Sequence, residues 1–397
     1  MRGVRVLEVA HWVFAPAATA ILADWGADVV KVEHPLHGDP QRGLVTLGIG
    51  SAEAGFNHMF DQENRGKRSI GVDLSSSSGR ELLYRLVEQS DVFVTNFLPS
   101  ARAKLGLEVD DVRAHNADIV YVRAHGQGQR GPERDRGGFD TATFWSRGGI
   151  AAKMTTPGAV PVAQRPGFGD HVSALALAGA VAAALFSRAN GGPPSTVDVS
   201  LLSCALWAIA PDVVVAGAVP GGFPYTPREA QMNPLTNAYR TADGRWLKLH
   251  LLQSDRYWPE LCRYIDRPDL AQDSRFSSAQ KRAENLTAIM AELDATFASK
   301  TLEEWSSTLA TMVGVWAPVQ TPSELYDDVQ VSANGYIQAV DYGDRSHHLV
   351  ASPAQFDEEP VELRRAPDVG EQTDEVLLEL GLTWDEILEL KIAQVVT

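Results

Sequence analysis

The sequence predicts an α/β fold, a Rossmann-like large domain with a parallel sheet plus a smaller α+β domain. Three observations predict it. Strand-like and helix-like runs alternate from Gly3 to Gly126 at the spacing of βαβ units, which demands parallel strands and right-handed crossovers. The texture turns Pro-, Gly- and polar-rich at Val219, as at a domain boundary. With 397 residues, the chain also exceeds what one hydrophobic core usually serves.

GVRVLEVA, Gly3 to Ala10, has the apolar density of a buried strand. FAPAATAILADWGA, Phe14 to Ala27, reads as a helix with Pro16 in its first turn and Gly26 at its end, and DVVKVEHP is a second strand closed by Pro35. The pattern recurs in the strand RSIGVDL, the serine-capped helix SSSSGRELLYRLVEQS and the strands DVFVTNF and ADIVYVRAHG. Ligands of such sheets bind beyond the carboxyl ends of the strands, so His11-Trp12-Val13, Glu33-His34-Pro35 and Thr95-Asn96-Phe97 occupy the informative positions. Neither a GxGxxG after the first strand nor a GxxxxGK[ST] loop is present. This argues against dinucleotide enzymes and P-loop hydrolases.

Between Tyr121 and Gly169 the chain is rich in glycine and turns, with the backbone freedom that functional loops exploit. A long helix of small and aliphatic residues follows, from His171 to Phe186, ended by Arg188 and Gly191. Asp170 stands at its mouth, directly after a glycine. It is either an N-cap, a role Asp favours, or a reactive carboxylate on a rigid element. STVDVSLLSCALWAIA is a strand running into a helix.

Beyond the linker at Val219, NAYRTADGRWLKLHLL forms a hairpin about Asp243-Gly244. WPELCRYI, SAQKRAENLTAIMAELDATFAS and TLEEWSSTLA are helices, the last with Thr301 and Glu304 as a capping box. VWAPVQTPSELYDD leads out of this segment, short strand signals follow Asp341, and a final helix follows Asp385. Residues 357–391 hold twelve acidic and three basic residues and read as a solvated face.

Apolar residues make up 44% and charged residues 22%, the balance of a soluble globular chain. No apolar run reads as long and uninterrupted enough to span a bilayer, and the N-terminal residues do not form a signal peptide; the expected location is cytoplasmic. The net charge of −16 opposes nucleic acid and anionic membranes as partners. Cys204 and Cys262 read as buried apolar residues, with no metal site expected. Against the acidic background, Arg65, Lys67 and Arg68 in NRGKRS form a local basic patch suited to phosphate.

Taken together, GVRVLEVAHWVFAPAATAILADWGADVVKVEHP, NRGKRSIGVDL, DVFVTNFLPSARAKLGL, GGFDTATFWSRGG, the Asp170 segment and STVDVSLL resemble the family III CoA-transferases. That group includes formyl-CoA transferase, carnitine CoA-transferase and, as a divergent branch, α-methylacyl-CoA racemase. The resemblance covers nearly the whole chain.

It implies that Asp170 is the nucleophile of an acyl-CoA:carboxylate CoA-transferase, passing through mixed-anhydride and aspartyl-CoA thioester intermediates. Acyl-CoA and a carboxylic acid would be the substrates, with no permanently bound cofactor. The residues matched to CoA binding are Val13, His34, Lys67, Asn96, Phe97, Ala101, Lys104 and Leu105, to which the basic patch adds Arg65. The family's architecture implies an interlocked homodimer. Residues 1–218 and 331–397 would build the large domain, and 219–330 the linker and small domain. Phe144, Trp145 and Met154 are candidates for an acyl pocket that suits apolar or branched groups.

The departures from formyl-CoA transferase are Val13 where it has Gln, His34 where it has Arg, and the lack of its glycine-rich loop before the second domain. They weaken formyl or oxalyl specificity. The rival reading is a 2-methylacyl-CoA racemase, whose Gly-His-Asp motif here reads Gly138-Phe139-Asp140; Phe139 cannot transfer a proton, and His171 is the available substitute. Asp140 is read as a loop or helix cap in the site region and a secondary candidate, and Phe139, Asp140 and Gly169 join the candidates for the substrate pocket. A catalytically inactive acyl-CoA-binding protein is the third reading.

Overall fold

The computed structural model of the chain describes residues 1–44 and 55–397. It divides into two compact units, one of residues 1–155, 159–222 and 329–397, the other of residues 156–158 and 223–328.

The larger unit is built on a six-stranded sheet. Its strands are β1 (Arg5–Val9), β2 (Asp28–Glu33), β3 (Arg68–Gly71), β4 (Val92–Thr95), β5 (Val120–His125) and β6 (Thr196–Ser200), in the order β3-β2-β1-β4-β5-β6. Every pairing is parallel, so each return path must cross over, and helices cover both faces. The helices that position the site are α1 (Phe14–Asp24), α2 (His58–Asn64), α3 (Ser77–Glu88), α4 (Pro99–Leu105), α5 (Val109–Arg113), α6 (Ile150–Met154), α7 (Phe168–Ala189), α8 (Leu201–Ala208) and α9 (Ala210–Ala218).

Strand alternation sorts the core into two layers. Val6, Val29, Val92, Val94, Val120 and Val122 pack beneath α1 and α7. Leu7, Val30, Val32, Phe93 and Tyr121 pack on the other face against α3, α5 and the C-terminal helices Thr373–Glu379 and Trp384–Ile392. The same alternation sends Glu8 into the α1 layer, and the register of β1 and β2 sets Lys31 directly beside it. Both are wholly buried, with Lys31 Nζ 2.7 Å from Glu8 Oε1.

Helix α7 has 22 residues and is long and apolar enough, by length and composition, to cross a membrane, which corrects the expectation that no segment is. In this fold one of its faces packs into the core and the other is exposed. Ala174, Leu177, Ala178 and Val181 are shut against α1 and the sheet, and their small size lets the two helices approach closely.

In the smaller unit, Ala238–Arg240 and Trp246–Leu249 pair antiparallel, and Trp316–Pro318 adds a third strand. Gly244 has φ 78° in the hairpin turn, a left-handed conformation that glycine adopts without strain. Helices bury Trp258, Phe297 and Trp305 against this sheet, and Thr301 and Glu304 form the capping box. Back in the larger unit, Ile337–Asp341 and Ser346–Val350 form a separate hairpin.

Candidate active site

At the carboxyl ends of β1, β4 and β5 the larger unit opens a cavity of about 640 Å³. Its walls are mostly apolar and include Trp12, Val13, Met59, Phe97, Leu98 and Phe139. Two carboxyl groups, Asp140 and Asp170, reach it, and the cations at its edge are Arg134, Arg136 and, when protonated, His125.

Asp170 owes its position to the start of α7. The chain turns at Gly167, whose φ of 86° serves the N-cap position, so Phe168, Gly169 and Asp170 form the first turn. Asp170 is therefore not the N-cap that the sequence allowed. Among the described residues its carboxyl accepts no hydrogen bond, although it is 9% exposed. Burial pushes its pKa up to about 8; the charges of Asp140 and Glu63 push the same way, and His171 opposes them. The favourable field expected of a helix N-terminus is outweighed by this desolvation.

Asp140 caps the π-helical segment Thr141–Arg147 by accepting from Thr141 N at 2.7 Å. Its second oxygen accepts from Gln164 Nε2 and from Gly169 N, the latter at 3.2 Å. One side chain thus joins the loop after β5, the segment before α7 and α7 itself. Phe144, fully buried, lies under Gly169 so closely that a Cβ there would sit 2.6 Å from its ring. Trp145 donates to Val162 O and meets Phe168 edge to face, while Met154 is exposed; none of these three lines the cavity.

His171 does not turn toward the cavity. Its Nε2 lies 2.8 Å from Glu63 Oε1 on α2, a buried carboxylate that also accepts from Gln41. Burial lowers the imidazole's affinity for a proton, but the hydrogen bond and charge of Glu63 raise its pKa overall.

The residues matched to CoA binding are not brought together as a set. Val13, Asn96 and Phe97 line the cavity, and the Asn96 side chain clips two loops, accepting from His11 N at 3.0 Å and donating to His11 O at 2.6 Å. Ala101, Lys104 and Leu105 lie along α4, Lys104 exposed and Leu105 against the core. His34 is exposed and stacks on His37.

The phosphate role expected of NRGKRS does not fit the geometry. Lys67 is wholly buried, giving its protons to Glu8, Asn64 and Pro16 O, and burial drives its pKa down to about 8 despite the pull of Glu8. Arg65 pairs with buried Asp24 at 2.6 Å, and Arg68 with Asp28, Glu375 and Glu379. The reason lies in β1: a carboxylate inside an apolar strand needs cations, and Lys31 and Lys67 together hold Glu8, against its burial, down to about 2.

Sequence reasoning missed Met59, His125, Arg134 and Arg136, and gave Trp12 only a place among the residues that follow the first strand. The two arginines had a readable signal, since they stand in the glycine-rich RGPERDRGG that follows a strand's carboxyl end. The loop is closed at its base where Gly126 and Gly138 approach so tightly that a Cβ on Gly126 would lie 2.8 Å from Gly138 Cα.

An α/β sheet of this order with a carboxyl group at the mouth of a small-residue core helix defines a class, and comparison with known proteins places it. The description "CoA-transferase family III" matches residues 1–373, and the chain belongs to that family of enzymes. The chain is 31% identical to (R)-2-hydroxy-4-methylpentanoate CoA-transferase of Clostridioides difficile, covering 100% of this chain and 99% of the relative. It is 30% identical to cinnamoyl-CoA:phenyllactate CoA-transferase of Clostridium sporogenes, over 98% and 95% of the two chains. Among solved structures, a CAIB/BAIF family protein from Brucella suis superimposes with a TM-score of 0.82 at 27% identity, covering 96% of this chain and 98% of its own. Rv3272 from Mycobacterium tuberculosis gives 0.79 at 28% identity, over 94% and 98%.

Proposed function

We propose that this family III CoA-transferase moves CoA from an acyl-CoA donor to a carboxylic acid through covalent intermediates on Asp170. The observation that carries the reading is the Asp170 carboxyl, buried and without a hydrogen-bond partner among the described residues, facing an apolar cavity. A carboxylate spared from capping and raised in basicity is a better nucleophile once ionised.

It attacks the thioester carbonyl and expels CoA thiolate, leaving a mixed anhydride. The thiolate then attacks the aspartyl carbonyl, giving the aspartyl-CoA thioester and releasing the donor's carboxylate. An incoming carboxylate attacks that thioester and again expels CoA thiolate. The thiolate takes the new acyl group from the second anhydride, and Asp170 is free. The thioester's energy is retained at each exchange. Arg134 and Arg136 at the cavity's edge suit the CoA phosphates, for which a guanidinium fork is a good partner.

The apolar walls favour an acyl group with a branched or aryl side chain. Two relatives are named for such acids, 2-hydroxy-4-methylpentanoate and phenyllactate, so an apolar 2-hydroxy acid is the acceptor in this reading. Racemisation is the weaker alternative, because Phe139 has no proton to give and His171 is held by Glu63. The enzyme works as a homodimer in the cytoplasm in this reading. The support is an exposed apolar face on α7 to α9 that includes Leu175, Phe186, Leu206, Trp207 and Val214.

The test is mass spectrometry of the intact protein and its peptides after incubation with a panel of acyl-CoAs, with Asp170→Ala as control and α-proton exchange followed in deuterated water. A CoA-derived adduct on Asp170, absent from the variant and without α-deuteration, is expected. α-Deuteration of a 2-methylacyl-CoA with no adduct would overturn the reading in favour of a racemase.

A further inference from the structure

Trp12 is one of the few residues other than glycine with a positive φ, at 69°. A bulky side chain there is strained by about 1–3 kcal/mol and persists only where its surroundings hold it. The holding contacts are all visible. Lys31 Nζ donates to Ala10 O at 2.9 Å, and Asn96 takes both the N–H and the carbonyl of His11. Asp39 Oδ1 accepts from Trp12 N at 3.1 Å, and its other oxygen lies 2.9 Å from Lys31 Nζ. Asp39 and Lys31 are wholly buried and Asn96 is half-buried, so three consecutive residues of backbone are held by groups mostly withdrawn from water.

The clamp has a product. The Trp12 indole meets the Phe139 ring edge to face, with centroids 5.6 Å apart, across two loops far apart in sequence. Phe139 is 60% exposed, and both rings line the cavity that Asp170 lines. An aromatic pair with one ring left uncovered offers an acyl group two apolar surfaces at right angles, and neither ring carries a cation to pair with a second carboxylate.

Resting on the transferase reading, we infer that Trp12 and Phe139 form the wall that selects donors with an aryl or branched apolar acyl chain over short or dicarboxylic ones. Losing such a contact is expected to lower discrimination about 10-fold or more.

The experiment compares 3-phenylpropanoyl-CoA, 4-methylpentanoyl-CoA, acetyl-CoA and succinyl-CoA. Their kcat/KM is measured in the full chain, and their binding by calorimetry in an Asp170→Ala background that cannot turn over. In Trp12→Ala and in Phe139→Ala, the preference for the two apolar chains over acetyl and succinyl is expected to fall about 10-fold in both measurements, and Trp12→Phe should restore most of it. Phe139 is exposed, so its variant remains informative even if Trp12→Ala folds poorly. Equal losses for all four donors, or an unchanged ratio, would overturn the assignment. A binding preference that moves as expected while the chain with Asp170 intact forms no adduct with any of the four thioesters would sink the transferase reading and leave the pair as a wall that selects the bound acyl chain.

Discussion

Asp140 Oδ2 accepts a hydrogen bond from the backbone N–H of Gly169 at 3.2 Å, one residue ahead of Asp170. The carboxylate that fixes the start of α7 is therefore also a like charge beside the proposed nucleophile, and it raises the pKa of Asp170. Replacing it should have two separable effects. Asp140→Asn removes the charge and keeps an acceptor, so the acidic limb of the kcat/KM profile is expected to move to lower pH. Asp140→Ala also frees Gly169 N and should cost roughly 10- to 100-fold in kcat, since small misplacements of a reacting group carry penalties of that size. Stopped-flow rates between pH 5 and 9 separate the two.

The raised pKa of Asp170 makes a stability prediction with a definite sign. A carboxyl group that binds its proton more tightly when folded stabilises the fold fully below its unfolded pKa, and that contribution is lost as pH rises through about 8. Asp170→Asn cannot ionise and escapes the loss. The difference in unfolding free energy, variant minus wild type, should widen in the variant's favour from pH 6 to about 8, by on the order of a few kcal/mol at most, and level off above that. A difference flat across that range would show that the carboxyl is not desolvated in solution.

Lys67 and Arg136 should separate cleanly. Lys67→Met leaves Glu8 with one cation in a dry interior, and breaking such a buried network costs about 3–5 kcal/mol. Chemical denaturation should show that loss. Arg136→Ala, at an exposed position, should leave the unfolding free energy within about 0.5 kcal/mol of wild type while raising KM for every acyl-CoA.

Gly169 has no room for a side chain, because the Phe144 ring occupies the place of its Cβ. Gly169→Ala should destabilise by about 1–3 kcal/mol through overpacking and displace the first turn of α7, with activity falling further than stability. The double variant Gly169→Ala with Phe144→Leu is expected to recover part of both losses, measured by calorimetry and turnover.

What the sequence by itself determined is the local grammar. Periods of two and of 3.6, with glycine and proline at the joints, announced the strands of a parallel sheet, the hairpin at Asp243-Gly244 and the capping box at Thr301. Those signals are short-range, since each depends on residues within a turn or a strand of one another. Asp170 was legible as a candidate for the same reason, as a charge at the lip of an apolar helix.

The tertiary structure decided which charges reach the cavity. Read as sequence, NRGKRS is a basic patch, and only the register that sets Lys31 beside Glu8 shows that Lys67 is spent inside the fold, while Arg134 and Arg136 reach the rim. It also decided that Asp170 caps nothing, and that Trp12 leans on Phe139. A side chain's partner in a folded chain is set by which loops the sheet brings to one edge, and that depends on contacts between residues too far apart for any local pattern to record.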